Sequence, residues 1–147
     1  MKIKMALGAI AAVGLLGMSA ASAQTTTVWA CPFSSWCLNQ VEVGPSGAKL
    51  EYDQIHMGNG IHTATMLWIL YGGPDDEFRA DSVVFTGTNA MGAETQFPLR
   101  QLTATRFALD NLNTNGLTYT YEVRVYKKGA PGTAPVVMRG SIVNASE

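Results

Sequence analysis

Between Leu117 and Tyr126 the chain reads Leu-Thr-Tyr-Thr-Tyr-Glu-Val-Arg-Val-Tyr. Leu117, Tyr119, Tyr121, Val123 and Val125 fall on one face at a strict period of two; Thr118, Thr120, Glu122 and Arg124 fall on the other. Successive side chains of a strand point to opposite faces, so this pattern predicts a long strand with one face in a core and one in water. Nearly every residue in it also favours a pleated surface. The rest of the chain is then expected to lay shorter strands against it.

Those shorter strands are predicted at 25–30, 38–43, 49–56, 63–71, 82–86, 102–109 and 135–143, with a short edge strand at 95–99 limited by Pro98. The run from Thr63 to Tyr71 is the most apolar after residue 23 and is bounded by glycines, which points to a buried central strand. Gly44-Pro45-Ser46-Gly47, Gly58-Asn59-Gly60, Gly72-Gly73-Pro74 and Asn115-Gly116 supply turn chemistry between runs. No segment carries a helical period, no repeat is visible, and no linker divides the chain. The expectation is an all-β fold: an antiparallel β-sandwich of about seven to nine strands, with a small β-barrel as the alternative.

The first residues read as an export signal. Lys2 and Lys4 precede an apolar stretch from Ala6 to Leu16, and Ala21-Ser22-Ala23 is a small-residue cleavage site. Residues 1–23 are therefore expected to be removed, leaving a single domain at 24–147 in a bacterial periplasm or outside the cell. Loss of the two lysines takes the formal charge from −1 to about −3. With both signs scattered, this balance argues against nucleic acid and against an anionic membrane surface as partners. No later apolar run is long enough to span a bilayer. Cys31 and Cys37, with five residues between them, are expected to pair in an oxidising compartment. So short a loop restrains the unfolded chain by about 2 kcal/mol, enough to pin a loop but not to hold a domain.

The segment Leu109-Asp110-Asn111-Leu112-Asn113-Thr114-Asn115-Gly116-Leu117-Thr118-Tyr119-Thr120-Tyr121-Glu122-Val123 resembles the E–F corner of immunoglobulin-like and fibronectin-type sandwiches. There a leucine precedes a polar turn, and a strand with a buried tyrosine follows. The resemblance implies that Tyr119 or Tyr121 bonds its hydroxyl back to residues 111–114. The inter-sheet cysteine pair of antibody domains is absent, since Cys31 and Cys37 are near neighbours. The superfold hosts many functions and brings no activity with it.

Candidate chemistry is sparse. His56 and His62 are the only histidines and flank Met57 and a glycine turn. If 49–56 and 63–71 pair as a hairpin, both imidazoles and the thioether meet at its tip, a donor set that suits copper and then zinc. Trp29, Phe33 and Trp36 form an aromatic cluster that either packs around the cysteines or offers a binding face to a sugar or a partner. Asp75, Asp76, Glu77 and Asp81 read as a solvated acidic turn, because the ligand spacing of a calcium loop is missing. No acid sits at the centre of an apolar strand, no serine lies in a Gly-x-Ser-x-Gly elbow, and no phosphate-binding glycine loop occurs.

The reading that follows is an exported, non-enzymatic binding or interaction module, with a protein or small molecule as its partner. Two alternatives stand beside it: a periplasmic copper or zinc binder using His56 and His62, and a structural subunit that assembles by adding edge strands.

Overall fold

The computed structural model describes residues 27–29, 36–58, 61 and 63–144. The expected signal segment and cleavage site, together with Cys31, Phe33 and His62, lie outside these residues.

Strands account for most of the described chain. They are β1 (Thr27–Trp29), β2 (Trp36–Gly44), β3 (Gly47–Leu50), β4 (Gln54–His56), β5 (Ala64–Tyr71), β6 (Asp76–Glu77), β7 (Val83–Thr86), β8 (Leu99–Thr103), β9 (Arg106–Asn111), β10 (Thr118–Lys127) and β11 (Val136–Val143). One helical turn, α1 (Ala93–Gln96), interrupts them. The first sheet runs β1-β4-β11-β10, with β7 and β6 both pairing β10; the second runs β3-β2-β5-β9-β8.

The strand predicted to organise the fold sits inside the first sheet. β10 pairs with β11 over residues 118–125, with β7 over 120–123 and with β6 at 126–127. Tyr119, Tyr121, Val123 and Val125 are buried, as their alternation requires. Leu117 is 46% exposed, because it precedes the first paired residue, Thr118. The opposing layer comes from β5, which buries Ala64, Met66, Trp68 and Leu70, and from β9, which buries Phe107 and Leu109. Aromatic edges lock the layers together. Trp68 meets Tyr121 edge-on at 5.4 Å, Phe97 meets Tyr119 at 4.7 Å, and Phe85 stacks on Phe97 at 4.7 Å. Such pairs contribute about 0.5–1.5 kcal/mol each beyond their buried area.

The all-β sandwich is as expected; three details differ. The sheets are mixed, not antiparallel throughout: β1–β4, β4–β11 and β2–β5 are parallel. The described strands number eleven rather than seven to nine, since β1, β4 and β6 are only two or three residues long. Neither sheet closes into the alternative barrel.

The parallel β2–β5 pair follows from an excursion of the chain between the sheets. The predicted strand at 49–56 is in fact two strands, β3 in the second sheet and β4 in the first. The chain leaves the second sheet after β3, adds β4 to the first, and returns as β5 beside β2. Asn39 of β2 guides the crossing: its Oδ1 accepts the Tyr52 backbone N–H at 3.0 Å and its Nδ2 donates to the Tyr52 carbonyl at 2.8 Å. One residue on, the Asp53 carbonyl accepts from Ser141 of β11, so the chain has joined the other sheet. The predicted strand at 102–109 likewise divides, into the β8–β9 hairpin with its turn at residues 104–105 and an irregular register between Gln101 and Thr103.

Candidate functional site

The expected hairpin at 49–56 and 63–71 does not form. β4 pairs with β1 and β11, β5 with β2 and β9, and the two belong to different sheets. His56, half-buried at the end of β4, places Nε2 3.0 Å from Gln54 Oε1. The Met57 side chain is buried in the core, and its backbone N–H donates to the Val143 carbonyl at 2.8 Å. Among the described residues no three His, Cys, Asp or Glu side chains gather as metal ligands.

The other singled-out residues are described in part. Cys37 lies buried in the core cluster, while Cys31 is outside the described residues. Trp29 lies in β1 of the first sheet and Trp36 at the start of β2 of the second. The acidic turn is a knot of internal contacts. Asp76 is buried, pairs with Lys127 at 2.5 Å and accepts the Gly73 N–H at 2.6 Å. Glu77 pairs with Arg79, and Asp81 accepts the Tyr126 hydroxyl at 2.6 Å. Burial and then this bond hold the Tyr126 phenol above its ordinary range.

At the corner before β10, the Tyr119 hydroxyl accepts from Asn115 Nδ2 at 2.9 Å, one residue past the loop named by the resemblance. Asn113 takes a positive φ of 47°, which asparagine tolerates better than most residues. Behind it the side-chain amides of Asn111 and Asn144 bond at 2.8 Å. Gln96 of α1 joins them; with its amide oriented by its neighbours, its oxygen accepts the Asn113 N–H at 2.6 Å. Tyr121 takes a different course. Its hydroxyl and the Trp68 Nε1 are buried, and neither meets a partner in hydrogen-bond geometry among the described residues. Burial holds this phenol far above its ordinary range, and the nearby polar groups of Trp68 and Asn39 offset that only in part.

The outer face of the second sheet brings together three residues that the sequence did not single out. In β2, Cys37, Asn39 and Val41 are buried, so alternation turns Glu42 outward. In β5, Leu70 is buried and Tyr71 is 52% exposed. Glu42 lies opposite Lys49 of β3 on one side and opposite Tyr71 of β5 on the other. Lys49 Nζ sits 2.9 Å from Glu42 Oε2. The row Lys49–Glu42–Tyr71 thus crosses three adjacent strands and borders a cleft of about 340 Å³. Gly44, Ser46 and Gly47 at the β2–β3 turn, with Val43 and Ala48 beside them, form the rest of its lining. A β-carbon built on Gly44 or Gly47 would meet nothing within 4 Å, so these glycines leave the cleft open. The sequence did carry a partial signal: an aromatic residue closing the most apolar strand, and a turn with two glycines.

No protein-family model matches this chain, and no curated protein sequence matches it.

Proposed function

We propose that the protein is an exported, non-enzymatic binding module that takes its ligand at the cleft beside Tyr71. The supporting observation is the row Lys49–Glu42–Tyr71. It puts an exposed aromatic ring, a carboxylate and an ammonium side by side on a rigid sheet, next to open volume. Ligand sites commonly combine apolar or aromatic surface with a few placed polar groups. Side chains mounted on strands hold their positions better than those on loops.

Calorimetric titration of residues 24–147 with oligosaccharides, peptides and small organic acids tests the reading. The expected result is a ligand whose affinity falls at least tenfold in Tyr71→Ala. Binding that is indifferent to both Tyr71→Ala and Lys49→Ala would overturn it. So would turnover of any of these compounds.

A further inference from the structure

We infer that the Tyr71 cleft binds a neutral saccharide, a conclusion that rests on the binding-module reading and gives its ligand a chemical class. Three features of the row lead there. The Tyr71 ring is half-exposed at the end of a strand, and an exposed ring face is a stacking surface for the C–H face of a pyranose. Beside it the Glu42 carboxylate accepts hydrogen bonds and the Lys49 ammonium donates them. Vicinal sugar hydroxyls do both, so one diol can satisfy the two groups together.

The third feature is charge. Glu42 and Lys49 form an ion pair 2.9 Å apart, so together they present no net charge to a ligand. A site for a phosphate, a carboxylate or an amine would leave one sign in excess; this one favours a neutral polar molecule. Dimensions agree. Three strands spaced about 4.8 Å apart give a row roughly 10 Å long. That matches two linked pyranose rings, one on Tyr71 and the next over the ion pair. The open backbone at Gly44 and Gly47 lets a ring approach without a side chain in its way.

Two further charges flank the row, one of each sign, and leave the balance intact: Glu51, whose Oε2 accepts the Gln40 N–H at 3.3 Å, and Arg106 of β9. Arg106 lies opposite Ile69, two residues before Tyr71 on β5, and Arg100 pairs with Asp110 at 3.0 Å.

The test is titration calorimetry of the mature protein against cello-, xylo-, manno-, malto- and chito-hexaose, with an extended peptide and inorganic phosphate as comparison ligands. One hexaose is expected to bind, with Tyr71→Ala weakening it at least tenfold. Gly44→Val, which fills open space, is expected to abolish binding with thermal unfolding unchanged. Glu42→Gln, which leaves the cleft a net positive charge, is expected to weaken the saccharide at least fivefold. Three outcomes overturn the inference. If no hexaose binds but the peptide or phosphate does, in a Tyr71-sensitive way, the saccharide assignment fails and the binding-module reading stands. If a hexaose binds equally to wild type, Tyr71→Ala and Gly44→Val, the cleft is not its site. If nothing in the panel binds, both fail.

Discussion

Gly140 and Tyr121 face each other across the β10–β11 ladder, and the tyrosine ring occupies the space a side chain would need. A β-carbon on Gly140 would stand 2.5 Å from both Cζ and Oη of Tyr121. The glycine here is fixed by its neighbour's ring, not by a turn. Gly140→Ala is therefore expected to destabilise the protein by about 1–3 kcal/mol through overpacking. A double-mutant cycle with Tyr121→Phe should show coupling above about 0.5 kcal/mol, because Oη is one of the two closest atoms. Additive effects in chemical denaturation would show that the ring does not exclude the β-carbon.

The same tyrosine makes a prediction at alkaline pH. Burial raises its pKa above the ordinary 10.0. A phenol whose folded pKa is raised keeps its proton in the native state and loses it on unfolding. Its contribution is thus fully present below pH 10 and declines above that, by at most about 1.4 kcal/mol per pH unit. Tyr121→Phe should be nearly neutral at pH 7, since the hydroxyl has no partner in bonding geometry to lose. Above pH 10 the variant should become the more stable of the two. Parallel stability curves for the two proteins between pH 7 and 11 would refute this.

On the outer face of the first sheet, Glu122 lies 3.1 Å from Arg124 and 3.2 Å from Arg139. The hydrogen bond from Arg124, then that from Arg139, lowers its pKa below the ordinary 4.5. A carboxylate with a depressed folded pKa stabilises above pH 4.5 and loses that contribution as pH falls through the folded value. Glu122 and Arg124 are partly exposed and Arg139 is open to solvent, so the effect should shrink at high salt. Melting temperatures from pH 2 to 7 should show a shallower acid decline in Glu122→Gln than in wild type, with the difference reduced in 1 M salt. An unchanged acid limb would argue that the arginines do not engage the carboxylate in solution.

The buried Asp76 carboxylate sits against the Gly72–Gly73 backbone. A β-carbon on Gly72 would lie 2.6 Å from Asp76 Oδ2. Gly72→Ala should displace the carboxylate from the Gly73 N–H and from Lys127, with a loss of about 1–3 kcal/mol, the range for stranding a buried polar group. Gly73→Ala, where the closest approach is 3.4 Å, should cost less. The order of the two variants in thermal unfolding checks the assignment, and a larger loss for Gly73→Ala would contradict it.

Which parts of this structure the sequence displays depends on the reach of the interactions that set them. The period-two run at Tyr119–Val125 and the apolar run of β5 are local signals, and both became buried strands inside their sheets. The division of 49–56 into β3 and β4 is not local. Leu50 and Ile55 both face apolar surroundings, but in different sheets, and the switch is made by Asn39, thirteen residues before Tyr52. The Asn111–Asn144 amide pair spans thirty-three residues, and no spacing rule announces it. The same holds for the cleft, where Tyr71 joins the Glu42–Lys49 pair of the β2–β3 hairpin only through the parallel pairing of β2 with β5. The sequence had suggested an antiparallel partner for β5, and so placed His56 and His62 together instead.

That crossing supplies the last prediction. Asn39 is buried and uses both ends of its amide on one residue, accepting from the Tyr52 N–H and donating to the Tyr52 carbonyl. It acts as a strand partner for the residue at which the chain has left one sheet and not yet joined the other. Asn39→Leu keeps the volume but strands two backbone groups, and should cost about 1–3 kcal/mol for each left without water. Asn39→Asp keeps the acceptor, loses the donor and buries a charge, so it should be at least as damaging at pH 7. It should recover at low pH, where the protonated carboxyl can again donate. Amide hydrogen exchange provides the direct readout: the Tyr52 N–H should exchange much faster in Asn39→Leu, while amides in the β10–β11 ladder keep their order of protection. If Tyr52 exchange is unchanged, the side chain of Asn39 is not what holds the crossing.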